Sequence, residues 1–356
     1  MEIEEFQLIY ELIVFVVFCF SFELTKKSSQ FKWILCSIFV LALTILIGTR
    51  PMNIGTDTGN YRVIFDLSRY TTLDDIKENL SEVGSDPLFN IILIVGHIIG
   101  SYTSVLVIIS FLTLFFGYRF CKRLSDYLGV NNSIALFCCY LISFYIVNQQ
   151  VNIIRAGLAA VLLLNYYLSV FQSDRKSAIW YGVLAIGIHF SSIFGILLPL
   201  VAKYIKFSKK IYLIGFFVAV FLAYLNFGVL NISFFAGMDL GSKNQYLTSE
   251  SDVYITGFRG TFALFNTFFA ILFYKYIRLQ NDFIQPFFRL YILFSILFFM
   301  CFQIPYSDRI GAFSWNLIPF MTYLCALQVF KFKQNNAMVF TFVCLFIIQF
   351  GIRIFA

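Results

Sequence analysis

Roughly a dozen apolar runs, most of them near the ~20 residues that cross a bilayer, follow one another through this chain. Hydrocarbon offers no partner to a peptide N–H or C=O, so each run has to satisfy its backbone internally, as a helix does. The runs read as 6–24, 33–48, 87–100, 103–121, 132–148, 152–172, 178–201, 211–230, 260–277, 287–304, 312–330 and 337–354. Only 13% of the residues are charged, against about a quarter in soluble domains. The expectation is an all-α, polytopic transmembrane helix bundle of about 10–12 membrane segments, some short or broken. It forms a single integral membrane domain over 1–356, interrupted by polar stretches at 49–86 and 231–259.

Lysine and arginine placement orients the bundle. Lys26, Lys27 and Lys32, then Lys203, Lys206, Lys209 and Lys210, then Lys331 and Lys333, mark cytoplasmic connections. The 49–86 stretch then lies outside, in keeping with its seven acidic and four basic residues, and so does 231–259. Counting every run as a full span would put Lys122, Arg123, Arg175 and Lys176 outside as well. Reading 87–100 as a short or re-entrant element, and 178–201 as broken near Gly187–His189, returns them to the cytoplasm. Within 49–86, the spacing of Tyr61, Ile64, Phe65 and Ser68 predicts a helix capped by Asp57 or Thr58. Thr72 with Asp75, followed by Leu73, Ile76 and Leu80 on one stripe, predicts a second. Together they would form a small extracytoplasmic helical cap.

Several function classes lack their residues. The chain has no GxxxxGK loop, no HExxH, no zinc-spaced cysteine pairs and no dinucleotide glycine fingerprint. The net charge of +7 sits mostly in short loops, as topology requires, and is not a nucleic-acid signature. The eight cysteines lie in or at the ends of apolar runs, which argues against a disulfide framework. Met1–Glu5 is acidic and no small-residue cleavage site follows the first run, so that run is expected to stay as an anchor.

Chemistry is expected where charge meets lipid. The segment Arg50–Tyr61, RPMNIGTDTGNY, follows directly on an apolar run and suits an anionic or hydroxyl-rich substrate. Arg155, in VNIIRAGLAAVLLL, lies about one turn inside its run. It either snorkels to the interface or faces a cavity with a fork suited to phosphate. His189, in GIHFSSIFG, is either a base or phosphate donor beside Ser191 and Ser192, or a core imidazole bonded to a carbonyl. Asp57 is a base, a sugar-orienting group or a helix cap. Asp308 and Arg309 in PYSDRIGAF, with Arg259 in GFRG, add charge to the same outer face, so that four arginines gather there. A diphosphate would engage two or three of them. His97 reads as structural, and Arg289 as snorkelling to the cytoplasmic interface.

Taken in order, Arg50, Gly55-Thr56-Asp57-Thr58 with Tyr61, NIIRAGLAA at Arg155 and IHFSS at His189 resemble the EpsG family, itself similar to Wzy-type polysaccharide and O-antigen polymerases. The resemblance covers about residues 45–200. Two positions depart from it: Ala156 stands where the family often has Gln, and Asp86 where it commonly has Glu. The resemblance implies a fold like that of C-type membrane glycosyltransferases. It also implies a reaction at the outer face of a bacterial cytoplasmic membrane, in which a growing glycan passes from undecaprenyl diphosphate to the terminal sugar of a lipid-linked repeat unit. His189 or Asp57 would then be the catalytic base, with Arg50, Arg155, Arg259, Arg309, Tyr61 and Asp308 binding diphosphate and sugar. Neither metal nor cofactor is expected. The partners are the undecaprenyl-diphosphate-linked oligosaccharide, the bilayer and a chain-length regulator protein, with no nucleic acid. The competing readings are a flippase for lipid-linked oligosaccharide, disfavoured by the lack of internal repeats, a membrane acyltransferase using His189, and a glycan ligase.

Overall fold

The structure is a computed structural model and describes residues 1–24, 28–68, 86–231, 257–277, 284–304 and 307–355. The second cap helix expected around Thr72–Leu80, and nearly all of the 231–259 stretch, lie outside the described residues. The described residues are helical, without strands. Among the described residues six helical stretches, 3–24, 30–48, 102–128, 154–171, 307–329 (interrupted at 316–317) and 334–353, are long and apolar enough to cross a membrane, and 87–99, 190–204 and 284–300 are shorter apolar helical stretches. The protein is a polytopic helical membrane protein.

Two compact units emerge. The first comprises residues 1–169, 173–193 and 330–356. Its helices are α1 (Ile3–Leu24), α2 (Ser29–Gly48), α3 (Thr58–Leu67), α4 (Pro87–Ile99), α5 (Tyr102–Leu128), α6 (Ser133–Leu141), α7 (Ile146–Val151), α8 (Ile154–Phe171, its last two residues counted with the second unit), α9 (Arg175–Ile188) and the C-terminal Gln334–Phe355. Lipid tails are as apolar as Leu, so close packing rather than water exclusion joins such helices. Gly48 illustrates this: a Cβ there would sit 2.7 Å from the Cα of Val107, so α2 and α5 meet backbone to backbone. All nine residues of α6 except Ser133 are buried, and α8 is buried along most of its length. The first and last helices join on this core through the stacked rings of Phe18 and Phe342, 4.0 Å apart.

The second unit comprises residues 170–172 and 194–329. It holds α10 (Ile193–Tyr204), α11 (Lys209–Tyr224), α12 (Gly260–Tyr276), α13 (Ile284–Met300), α14 (Ser307–Trp315) and α15 (Ile318–Val329). The C-terminal helix of the chain, in the first unit, is α16. An aromatic cluster of Phe262, Phe298 and Trp315 packs α12, α13 and α14 together. The indole N–H of Trp315 donates to Asn266 Oδ1, which satisfies its one polar atom inside that cluster. Arg289 does not snorkel as expected. It is buried on α13 and donates to the Ala202 carbonyl and to Gln285 Oε1.

Several runs read as continuous are broken. Run 132–148 divides into α6 and α7 around 142–145, and run 312–330 into α14 and α15 at 316–317. Run 178–201 breaks where expected: His189 is extended (φ −153°, ψ 109°) between α9 and a 3₁₀ turn at Phe190–Ser192. Element 87–100 is α4, about 20 Å long at 1.5 Å per residue, short of the ~30 Å hydrocarbon core. Asp86 at its start bonds Arg155 and the backbone of Phe190, while His97 near its end stacks on Phe65 of α3. Thr58, the first residue of α3, in turn hydrogen-bonds the Val151 carbonyl four residues before Arg155. α3 therefore runs alongside α4, with Tyr61 against Phe89 near its start and Phe65 against His97 near its end.

This layout makes a topological prediction. Ser173, exposed in the turn between α8 and α9, should react as a single cysteine only with reagent that reaches the cytoplasm. Labelling of intact cells by an impermeant maleimide would invert the arrangement.

Candidate active site

The break at His189 is built by a carboxylate from elsewhere in the chain. A helix start leaves N–H groups unpaired, and here the Phe190 N–H donates to Asp86 Oδ1 at 2.8 Å. The same carboxylate accepts Arg155 Nη1 at 2.7 Å through Oδ2, and His189 Nδ1 lies 3.5 Å from that oxygen. Asp86, Arg155 and His189 thus form one cluster, with Asp86 at its centre. Burial pushes the Asp86 carboxyl up. Its hydrogen bond to His189, the charges of His189 and Arg155, and the Phe190 N–H outweigh that effect and hold it below the usual carboxylate range. It is charged at neutral pH.

Exposure separates the roles. The Asp86 side chain is 6% exposed, His189 15% and Arg155 25%, so the cation and the imidazole reach outward while the carboxylate holds them from behind. The Arg155 guanidinium also lies over the rings of Phe89 (5.1 Å) and Tyr61 (5.5 Å). A planar cation held by a carboxylate and two rings is fixed in direction.

The N-terminal end of α8 sets where Arg155 stands. Asn148 and Asn152 bond each other side chain to side chain at the end of α7, and α8 begins two residues later. Gly157 then passes so close to α7 that a Cβ would lie 2.5 Å from the Gln149 carbonyl oxygen. Gly157→Ala should therefore displace the first turn of α8 and lower activity about 100-fold, the cost of a displacement near 1 Å. Activity assays matched for protein amount check this; wild-type turnover would show that α8 tolerates the methyl. Gln149 itself is buried, and its Nε2 has no acceptor among the described residues.

Arg50 is placed differently from the expectation of a ligand. It is 4% exposed and donates to the carbonyls of Ile47, Ile54 and Val151 and to Thr58 Oγ1. It satisfies a carbonyl at the end of α2 and ties the 51–58 loop to α7. Burial lowers its pKa to about 10, which leaves it cationic at neutral pH. Gly55 completes that tie with φ +98° and room for no side chain, a Cβ falling 2.5 Å from the Val151 oxygen. Arg50→Ala should accordingly cost about 1–3 kcal/mol of stability, because buried carbonyls lose their donors. Thermal unfolding in detergent measures this, and an unchanged midpoint with lost activity would return Arg50 to the ligands.

The remaining expected residues fall as follows. Asp57 stands at the N-cap position of α3 but makes no capping bond with its side chain. Tyr61 lies with Arg155, as described. Arg259 precedes α12 in the second unit, over the Phe262 ring, and Asp308 and Arg309 occupy the first turn of α14 there. The cluster's central residue, Asp86, enters the sequence reading only as a departure from the Glu common in the resembled family, with no catalytic or binding role expected of it. Its signal was a carboxylate directly before Pro87, where a polar stretch meets an apolar helix.

The EpsG family model matches residues 33–355. No curated protein matches the chain, and no solved structure does.

Proposed function

Because the chain belongs to the EpsG family, whose members are related to Wzy-like polysaccharide polymerases, we propose that it is a glycosyltransferase that polymerises lipid-linked glycan repeat units. A growing glycan on undecaprenyl diphosphate is transferred to a hydroxyl of the terminal sugar of a new lipid-linked unit, at the outer face of the cytoplasmic membrane. The supporting observation is the Asp86–Arg155–His189 cluster, a cation and an imidazole held on one carboxylate beside Tyr61 and Phe89. Arg155 stabilises the charge that builds on the departing diphosphate. His189 takes the proton of the attacking hydroxyl, and Asp86 orients the ring through Nδ1 and stabilises the imidazolium. The bond from the anomeric carbon to the diphosphate oxygen breaks as the new glycosidic bond forms.

Tyr61 offers a ring and a hydroxyl to the sugar, and Arg50 acts as a positioning residue through Val151. Asp57 remains the second candidate base. Diphosphate or sugar contacts by Arg259, Asp308 and Arg309 are part of the same proposal, each tested by its own alanine variant. Deletion of the protein tests the function. Surface glycan on a gel should collapse to acceptor carrying one repeat unit. Loss of even that unit would favour a flippase or ligase, and an unchanged ladder would remove all three readings.

A further inference from the structure

About thirteen residues of helix, roughly 20 Å at 1.5 Å each, separate His189 from a second feature at the opposite end of α9. There α5 and α9 line an open groove of about 460 Å³, bounded by Phe116, Arg119, Lys176, Ser177, Trp180 and Tyr181. We propose that this groove binds the phosphodiester headgroup of an anionic glycerophospholipid.

Charge, shape and surroundings support that occupant. Arg119 is fixed at the wall by donating Nε to the Tyr181 hydroxyl at 2.6 Å, and Lys176 stands across from it on the first turn of α9. Lys122, Arg123 and Arg175 lie close to them in sequence on α5 and α9, where the carboxylates are Asp126 and, at the N-cap of α9, Asp174. Asp126 is paired with Lys122, and Asp174 caps the Ser177 N–H. The local excess is cationic, and basic pockets between membrane helices suit anionic headgroups. A soluble phosphate would need no more than these charges. The same two helices, however, also carry exposed apolar side chains: Ile179 and Val183 on α9 are 69% and 59% exposed, and Phe111 and Phe115 on α5 are exposed as well. Trp180, which lines the groove and is 62% exposed, offers an indole, a ring that favours the headgroup level of a membrane interface. An amphiphile satisfies both halves, which a free ion does not.

Native mass spectrometry of the detergent-purified full-length chain tests the proposal, titrating phosphatidylglycerol against phosphatidylcholine of the same acyl composition. The wild type should bind phosphatidylglycerol about tenfold more tightly, and Lys176→Glu should remove that preference without affecting phosphatidylcholine. Lys176 and Trp180 are exposed, so their variants spare the core. Trp180→Ala should weaken phosphatidylglycerol binding, and inorganic phosphate should fail to displace the lipid. Equal affinity for the two lipids, wild-type binding by Lys176→Glu, or full displacement by phosphate would each overturn the assignment. These readouts concern binding alone and stand apart from transferase activity.

Discussion

Replacing His189 with alanine should lower glycan polymerisation by about 10² to 10⁴, the range for a positioned general base, while the protein stays in the membrane at its normal level. The imidazole sits at a chain break that its backbone, not its side chain, maintains: its N–H donates to Ala185 and its carbonyl accepts from Ser192. Removing the ring therefore leaves the break intact. The role of Asp86 through this ring adds a second test. Asp86→Asn keeps an acceptor for the Phe190 N–H but loses the charge opposite His189 and Arg155. Single and double variants of Asp86 and His189 should then be strongly non-additive, since groups acting as a unit fail together. Additive losses, compared as turnover at saturating substrate, would separate the two residues.

Arg155→Ala should cost about 10² to 10³ in turnover, as loss of one preorganised charge at a leaving group does. Lysine at the same position should recover only part of it, because an ammonium lacks the fork that a diphosphate engages in two places. The variant also leaves the buried Asp86 carboxylate short of a donor, so a stability loss of about 1–3 kcal/mol is expected alongside. Measuring the detergent unfolding midpoint with turnover keeps the two effects apart. A variant with wild-type turnover would make Arg155 a snorkelling residue with a structural ion pair.

The helices were legible because oil-like runs of bilayer length leave a backbone few alternatives. The break at His189 was legible from charge bookkeeping, since an unbroken span there conflicts with the positive-inside rule at Arg175 and Lys176. The break near Ser143 was not, because that run contains no proline or glycine. The break near Asn316 does carry a signal, Pro319 in the first turn of α15, where proline favours a helix start. Arg155 and His189 stood out as rare polar residues in apolar runs. Asp86 did not, for its partners lie 69 and 103 residues away and such pairing leaves no trace in one sequence. Arg50 was read as a ligand from its place in a polar loop. Yet an arginine two residues beyond a helix end has unpaired carbonyls at hand, and here it donates to one of them, Ile47 O.

The most direct test is reconstitution. The purified protein in liposomes, given only lipid-linked repeat units, should extend them stepwise into a ladder and release one undecaprenyl diphosphate per bond formed, with Asp86→Asn and His189→Ala nearly inactive. Movement of the lipid-linked unit across the bilayer with no new glycosidic bond would contradict the account.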